Sequence, residues 1–454
     1  MITVTNPATG EPIIQLPADD AAAIGQKFAQ AKTAQLQWRH TPVAERLEKI
    51  TNFYHLLDEE KDTLAQDLTA ETGKPLQQAF NELNGASTRI RFFLEHTAAL
   101  LEEEWITSEG PTREKITYEP LGVIANISAW NYPYLVGVNV FIPALLAGNA
   151  VLYKPSEYAL LTGRHIGRLL HQSGIPEAVF QCITGTGEAG QALLELPLQG
   201  YYFTGSYATG QRIAKALAGK MVPVQMELGG KDPLYVMDDV ADIEAVAGAA
   251  LEGIMYNAGQ SCCAVERVYV HEKVYDAFTA SIAKQAAALK AGNPIQAGTD
   301  LGPLCRPQQV EVIKTQIKEA LDKGATLLYQ TPEVPPLGYY VPVTLLTNVN
   351  HGMEIMMEES FGPVCGIQRV ENDDEAAALM LDTRYGLTAA VYGSSFERAE
   401  RIMQKMDTGT VYFNCCDRVS AALPWSGRGH SGVGSTLSFS GIRAFTQPKA
   451  WHLR

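Results

Sequence analysis

The sequence offers no cysteine framework. Its seven cysteines (Cys182, Cys262, Cys263, Cys305, Cys365, Cys415 and Cys416) are odd in number, and no spacing matches a disulfide ladder or a CxxC zinc pair. A reducing compartment is the simplest expectation. The opening stretch Met-Ile-Thr-Val-Thr-Asn-Pro lacks the basic segment and apolar run of a secretory signal, so a cytoplasmic location is expected. Basic charge is also scarce. Lys and Arg number 36 against 50 Asp and Glu, giving a net charge of −14. Such a surface repels phosphate backbones and anionic lipid, which argues against nucleic acid and membrane partners. Nine histidines are scattered, none at a ligand spacing with Cys, Asp or Glu, so no metal site is expected. No G-x-S-x-G is present, which argues against a Ser–His–Asp hydrolase. A long unbroken apolar run is missing too. Residues 120–153 carry no charge, but Asn131, Pro133, Gly137, Asn139, Pro143, Gly148 and Asn149 interrupt them. That pattern suits strand, helix and strand of a sheet buried on both faces, not a membrane span.

What is present is ordinary globular material, 46% hydrophobic and 19% charged over 454 residues. This length predicts two or three domains. Apolar residues recur at helical spacing from Ala21 to Leu101. Residues 107–120 are polar and mixed, with a Gly110-Pro111 turn signal, and read as a hairpin or arm. Strands and helices then alternate: strands at 122–128, 150–154, 178–184 and 201–204, and helices from Pro133 and over 158–172, 189–196 and 206–218. Repeated units at this spacing predict an α/β fold with a doubly wound parallel sheet, whose ligands bind beyond the carboxyl ends of the strands. Alternation resumes from Pro233 to about Gly434, with helices near 243–256 and 274–290, which predicts a second α/β domain. The tail from Phe445 reads as a terminal strand.

Several short patterns could carry chemistry. Gly185-Thr-Gly187-Glu-Ala-Gly190 matches GxGxxG, but the next strand ends Phe203-Thr-Gly205-Ser206 without the usual acid, so a tight strand-to-helix turn is favoured over an ordinary phosphate loop. Gly205-Ser-Tyr-Ala-Thr-Gly210 is either a second such turn or a phosphate site at a helix N-terminus. Lys154 and Glu157 stand at a predicted strand end. They are either a solvated pair or groups for ribose hydroxyls, and a carboxylate there would repel a 2′-phosphate, favouring NAD over NADP. Small residues before Cys262 suit an exposed nucleophile, although a single cysteine is more often buried and structural. Glu227 follows an apolar stretch (222–226), where partial desolvation would raise its pKa toward that of a useful base.

Taken in order, these pieces resemble the aldehyde dehydrogenase superfamily over nearly the whole chain. The resemblance rests on Asn6-Pro-Ala-Thr-Gly10, Glu119-Pro-Leu-Gly122, Trp130-Asn131-Tyr132-Pro133, Gly148-Asn149 and Lys154-Pro-Ser-Glu157. It continues through Phe203-Thr-Gly-Ser206, Glu227-Leu228-Gly229-Gly-Lys231, Gly259-Gln-Ser-Cys262, Glu359-Ser-Phe361-Gly-Pro363, Tyr385-Gly-Leu387 and Gly409-Thr-Val-Tyr-Phe-Asn414. It implies a variant Rossmann dinucleotide-binding domain (1–104 and 122–229), a catalytic domain (230–428) and a β oligomerisation arm (105–121 and 440–454) in a homodimer or homotetramer. It implies that Cys262 attacks an aldehyde, that the Asn131 amide and the Cys262 N–H bind the oxyanion, and that Glu227 activates water to hydrolyse the resulting thioester. The implied cofactor is NAD, with Lys154 and Glu157 at the adenosine ribose, Ser206 and Gly205 at the pyrophosphate, and Glu359 at the nicotinamide ribose. Phe361, Trp130, Gly187, Leu228 and Gly229 would line the rest of the groove.

The chain departs from the family pattern in places. Tyr132 replaces a common Phe, and Val140 stands where many relatives carry a lysine. The C-terminal glycine motif reads Ser426-Gly-Arg-Gly-His-Ser-Gly432, and the substrate-facing loop over 415–423 carries adjacent cysteines. Two other functions stay open: a CoA-acylating enzyme, which Glu227 disfavours, and a non-enzymatic protein of the same fold. The specificity side chains are expected near Tyr132, Tyr134, Val136, Ser261, Cys263 and the loop before Pro424. No arginine stands out to hold a substrate carboxylate.

Overall fold

The computed structural model describes residues 1–454. Two large sheets organise it. The first has six strands in the spatial order Gly432–Val433, Val224–Glu227, Gly200–Thr204, Val123–Ile127, Ala150–Lys154, Phe180–Cys182, all parallel except the first. Numbered along the chain, its five parallel strands lie 3-2-1-4-5. The winding therefore reverses between Val123–Ile127 and Gly200–Thr204, and ligands of such sheets bind beyond the carboxyl ends there. Trp130 and Gly205-Ser206 follow those two strands.

The charge-free stretch folds as its pattern predicts. Every residue of Val123–Ile127 and of Ala150–Lys154 is buried, and the helix Pro133–Leu146 between them buries all but Leu135 and Val136. Pro133 opens that helix at a position where a missing N–H goes unnoticed. The helices Ala21–Trp38, Val43–Glu59, Lys61–Thr72 and Leu76–Leu101 pack on this layer. The last of these buries Ala79, Leu83, Ala86, Ile90 and Phe93 at helical spacing, and with them Glu82 and Arg89. Two charges on a core-facing stripe call for a reason. A short antiparallel pair, Ile2–Thr5 with Pro12–Leu16, precedes the helices.

The second sheet has seven strands: Thr326–Gln330, Thr344–Thr347, Val364–Val370, Val265–His271, Asp232–Val236, Thr388–Tyr392 and Thr410–Phe413. Only the Thr326–Gln330 edge strand runs antiparallel. It has its own hydrophobic core, separate from that of the first sheet. Four residues, 228–231, join the last parallel strand of the first sheet to the first strand of the second. A third sheet pairs Thr446–Leu453 and Glu104–Thr107 with opposite sides of Arg113–Pro120. No helix is long and apolar enough to cross a membrane.

Candidate active site

The carboxyl ends of the first sheet face the loop that precedes Val265–His271, and that loop holds Cys262. Its backbone is strained. Asn257, Ala258 and Gly259 all have positive φ (54°, 53° and 72°). For residues other than glycine this costs on the order of 1–3 kcal/mol each and persists only where the surroundings enforce it. They do so here. The Asn257 amide donates to the carbonyls of Gln260 (3.1 Å) and Asn131 (3.2 Å), and its own N–H donates to Gln78 Oε1 (2.9 Å). Gln260 Nε2 donates back to the Asn257 carbonyl (3.1 Å), while Gln260 Oε1 accepts the Cys305 N–H (2.8 Å). A side chain at Gly259 would put Cβ 2.2 Å from the Gly362 carbonyl oxygen, and one at Gly230 would meet the Cys262 carbonyl oxygen at 2.3 Å. The segment can only be this tight with glycine at both points.

Cys262 is half-buried and lines a cavity of about 440 Å³. Its neighbour Cys263 is buried and donates its thiol proton to Asp417 Oδ1 (2.9 Å); the Cys262 thiol and burial together push its pKa up. Cys416 is also buried, with a thiol pushed up to about 12 by desolvation. Cys262 and Cys415 are the two half-buried cysteines of the cavity, and of these Cys262 is the one that follows the strained loop.

Asn131 is held beside it. Its Nδ2 donates to the Gln260 carbonyl (3.2 Å), which leaves one amide N–H free. Its own carbonyl accepts from Lys74 Nζ (2.8 Å) as well as from Asn257. Lys74 is completely buried, pairs with Glu82 and lies 3.9 Å over the Tyr132 ring, while Glu82 Oε1 accepts the Tyr134 N–H (2.9 Å). The pair thus clamps the segment 131–134 from below. Nothing in the sequence marks Lys74 or Glu82, because a lone Lys and a lone Glu are normally solvated.

Glu227 is the last residue of its strand rather than the residue after it, and it is only 8% exposed. Burial pushes its pKa up to about 8 against weaker hydrogen bonds from Gln225 and Trp425. Its Oε2 is buried without a partner. Glu227 does not line the cavity wall; its side chain accepts from Gln225 Nε2 (3.3 Å), and the neighbouring Trp425 lines the cavity. The structure therefore joins Asn131 to the Cys262 loop directly, whereas Glu227 is buried behind the cavity wall.

The cofactor candidates lie along the carboxyl ends of the first sheet. Trp130 packs edge-on against Phe361 (5.6 Å, 80°) and against Tyr158 (6.5 Å). Phe361 is fixed by a positive φ of 52° and by Glu266, which accepts the N–H groups of Ser360 (2.8 Å) and Phe361 (2.9 Å) and pairs with buried Lys231 (2.6 Å). Glu359 accepts the Gly230 N–H (3.1 Å) and lies against Gly229; burial raises its pKa to about 8. Ser206 caps the helix Tyr207–Leu217, accepting the Thr209 N–H, and Leu228 packs under Gly210. Gly205 lies against the Phe203 ring, where a Cβ would meet carbon at 2.5 Å. Gly187 begins the helix Gly187–Glu195 with open space where a side chain would be.

Lys154 tests the fit of a dinucleotide. It is 4% exposed, donates only to the Pro155 carbonyl (3.2 Å) and stays 3.9 Å from half-buried Glu157. A buried ammonium with spare donors beside a carboxylate matches sugar hydroxyls, which both donate and accept.

Two expectations need correction. Tyr134 does not face the cavity: it is fully buried in the core, with its hydroxyl unpartnered, while Tyr132, Leu135 and Val136 line the cavity. And an arginine is there. Arg89 lines the cavity together with Arg418.

Comparison with known proteins agrees with this architecture. Residues 1–451 match the aldehyde dehydrogenase family. The chain is 34% identical over 448 residues to an NADP-dependent succinate-semialdehyde dehydrogenase of Deinococcus radiodurans, covering 98% of this chain and 93% of that protein. It is 34% identical to a chloroplastic aminoaldehyde dehydrogenase of Arabidopsis thaliana, covering 99% and 92%. The crystal structure of a betaine aldehyde dehydrogenase from Staphylococcus aureus in complex with NAD+ superposes with a TM-score of 0.94 at 29% identity, covering 99% of this chain and 91% of that one. With the family matched over residues 1–451 and relatives 34% identical across nearly the whole chain, this chain belongs to the aldehyde dehydrogenase family.

Proposed function

We propose that the protein oxidises an aldehyde to a carboxylic acid through a covalent thioester on Cys262. The observation that carries this reading is the accessible Cys262 thiol on a cavity wall, with the Asn131 amide anchored two residues upstream. As thiolate, Cys262 adds to the aldehyde carbon and gives a thiohemiacetal alkoxide. The free N–H of the Asn131 amide and the Cys262 backbone N–H stabilise that alkoxide; one such donor is typically worth about 3–4 kcal/mol in the transition state. A bound nicotinamide supplies the hydride acceptor. Loss of hydride from the adduct carbon leaves the Cys262 thioester, and water releases the acid and restores the thiol.

Glu227 is assigned the base for that water. Its raised pKa suits the task, because a base works best with a pKa near the working pH. Lys154 and Glu157 are assigned to the adenosine ribose and Ser206 to the pyrophosphate. The Glu157 carboxylate favours NAD over NADP, although one relative named above is NADP-dependent. The first sheet would be the dinucleotide-binding domain, the second the catalytic domain, and the three-stranded sheet an arm that joins subunits. The arm's exposed Trp105, Ile106 and Trp451 support that role.

The test is Cys262→Ala assayed by reduced-cofactor formation with NAD and with NADP, with CoA omitted. The account expects loss of essentially all aldehyde oxidation in the variant, CoA-independent turnover in the parent and a higher kcat/KM with NAD. Parent-like activity in the variant excludes Cys262 as nucleophile, and a CoA requirement replaces hydrolysis by acyl transfer to CoA.

A further inference from the structure

The relatives' names span acid-bearing and amine-bearing aldehydes, so family membership leaves the substrate class of this chain open. The cavity itself is more selective. Four charged side chains line it: Arg89, Glu252, Asp417 and Arg418. Three have partners. Glu252 and Arg418 lie 3.4 Å apart and are both more than half exposed, so they offset each other in water. Asp417 accepts the Cys263 thiol, and burial raises its carboxyl to about 6.

Arg89 differs. It is 8% exposed and no carboxylate lies within ion-pair distance of it; Glu82, the acid nearby, is already paired with Lys74. Its Nη1 donates to two neutral acceptors, the Leu135 carbonyl (3.1 Å) and Asn139 Oδ1 (3.0 Å). Its Nε and Nη2 make no hydrogen bond with the protein, yet they are not sealed from the cavity. Burial lowers its pKa only to about 10, so it remains a cation at neutral pH. A buried, uncompensated charge is costly, and a guanidinium presents a planar fork that fits a carboxylate with two parallel bonds. The helix that carries it spends a core-facing position on this charge.

We propose that Arg89 receives a carboxylate at the far end of the substrate, so that the preferred aldehydes are short acids bearing an aldehyde. The proposal rests on the reading of Cys262 as nucleophile. Arg89 sets specificity and takes no part in the bond changes at the aldehyde carbon.

The experiment uses the full-length enzyme and three probes of one chain length: butanal, succinic semialdehyde and trimethylammonio-butyraldehyde. The parent is expected to show the highest kcat/KM with succinic semialdehyde. In Arg89→Gln the loss on succinic semialdehyde should exceed the loss on butanal by about 10–100-fold, the usual worth of a hydrogen bond to a charged group, and should appear mainly in KM. Arg89→Lys should recover part of it. Equal losses on both probes, or a parent preference for the cationic probe that Asp417→Asn abolishes, would overturn the assignment. Should Arg89→Gln fail to fold, the parent alone decides: succinate should compete with butanal, and its failure to inhibit refutes the site. If butanal is oxidised through Cys262 without these effects, only Arg89 loses its role. If no probe is oxidised in a Cys262-dependent way, the underlying reading falls and the Arg89 proposal with it.

Discussion

At the scale of single residues, the account turns on how burial sets the chemistry of each group. Glu227 is a carboxyl group deprived of water, so its proton leaves only near pH 8. A base acts when deprotonated. Thioester hydrolysis should therefore rise as pH increases through about 8 and level off above it, and single-turnover deacylation rates across that range measure this. In Glu227→Gln the limb should vanish and steady turnover should drop about 10²–10⁴-fold, with a stoichiometric burst of reduced cofactor retained. Asn131→Ala should slow acylation by about 10²–10³-fold through loss of one oxyanion donor, read as a smaller burst rate.

The three residues proposed for the centre stand out in the sequence because each sits in a short motif of unusual composition. Arg89 does not. Its acceptors lie 46 and 50 residues away, and a lone arginine on a helix is usually solvated. The signal was its place in the apolar stripe of 79–93, visible only once the helix phase is fixed. Tyr134 was misplaced for the same reason. Successive helical residues turn by about 100°, so a reading by proximity along the chain put it in the cavity beside Tyr132 and Val136.

At the scale of elements, the site depends on two pieces of backbone, and each is held by buried polar groups. The loop 257–262 needs its left-handed turn. Gly259→Ala should lower activity steeply and destabilise the fold by roughly 1–3 kcal/mol, because its φ is 72° and the new Cβ collides with the Gly362 carbonyl; urea unfolding with a matched activity assay checks both. The Asn131 segment needs the Lys74–Glu82 clamp. Lys74→Met leaves Glu82 buried and unpaired, at a cost of about 3–5 kcal/mol. Pairing it with Glu82→Leu should restore much of the stability, since an apolar pair can replace a buried ion pair. Activity should stay low, because the Asn131 carbonyl still lacks its cation. Recovery of both together would reduce the clamp to a packing role. Strand and helix order were readable from alternation and from Pro133, but these clamps were not, because they cross 57 and 126 residues of chain and leave no periodic trace.

At the scale of the whole molecule, the two sheets meet with the carboxyl ends of one facing the loop that enters the other; four residues, 228–231, lead from the first sheet to the second, and the chain returns after Phe413 to add the strand Gly432–Val433 to the first. That geometry puts the aromatic pair Trp130–Phe361 and the Cys262 loop at one junction. The three-stranded arm lies apart from both cores, with an apolar surface including Trp105, Ile106 and Trp451 left open. Sedimentation of the parent should give a dimer or tetramer, and Ile106→Asp combined with Trp451→Glu should shift it toward monomer. A monomeric parent would remove the arm's proposed purpose.

The most direct test of the central claim is mass analysis of Glu227→Gln quenched in acid after mixing with cofactor and a four-carbon aldehyde. The account predicts one acyl group per chain, on the peptide that contains Cys262, formed together with one equivalent of reduced cofactor. Reduced cofactor without any acylated cysteine, or an acyl group on Cys415 or another residue instead, would contradict it.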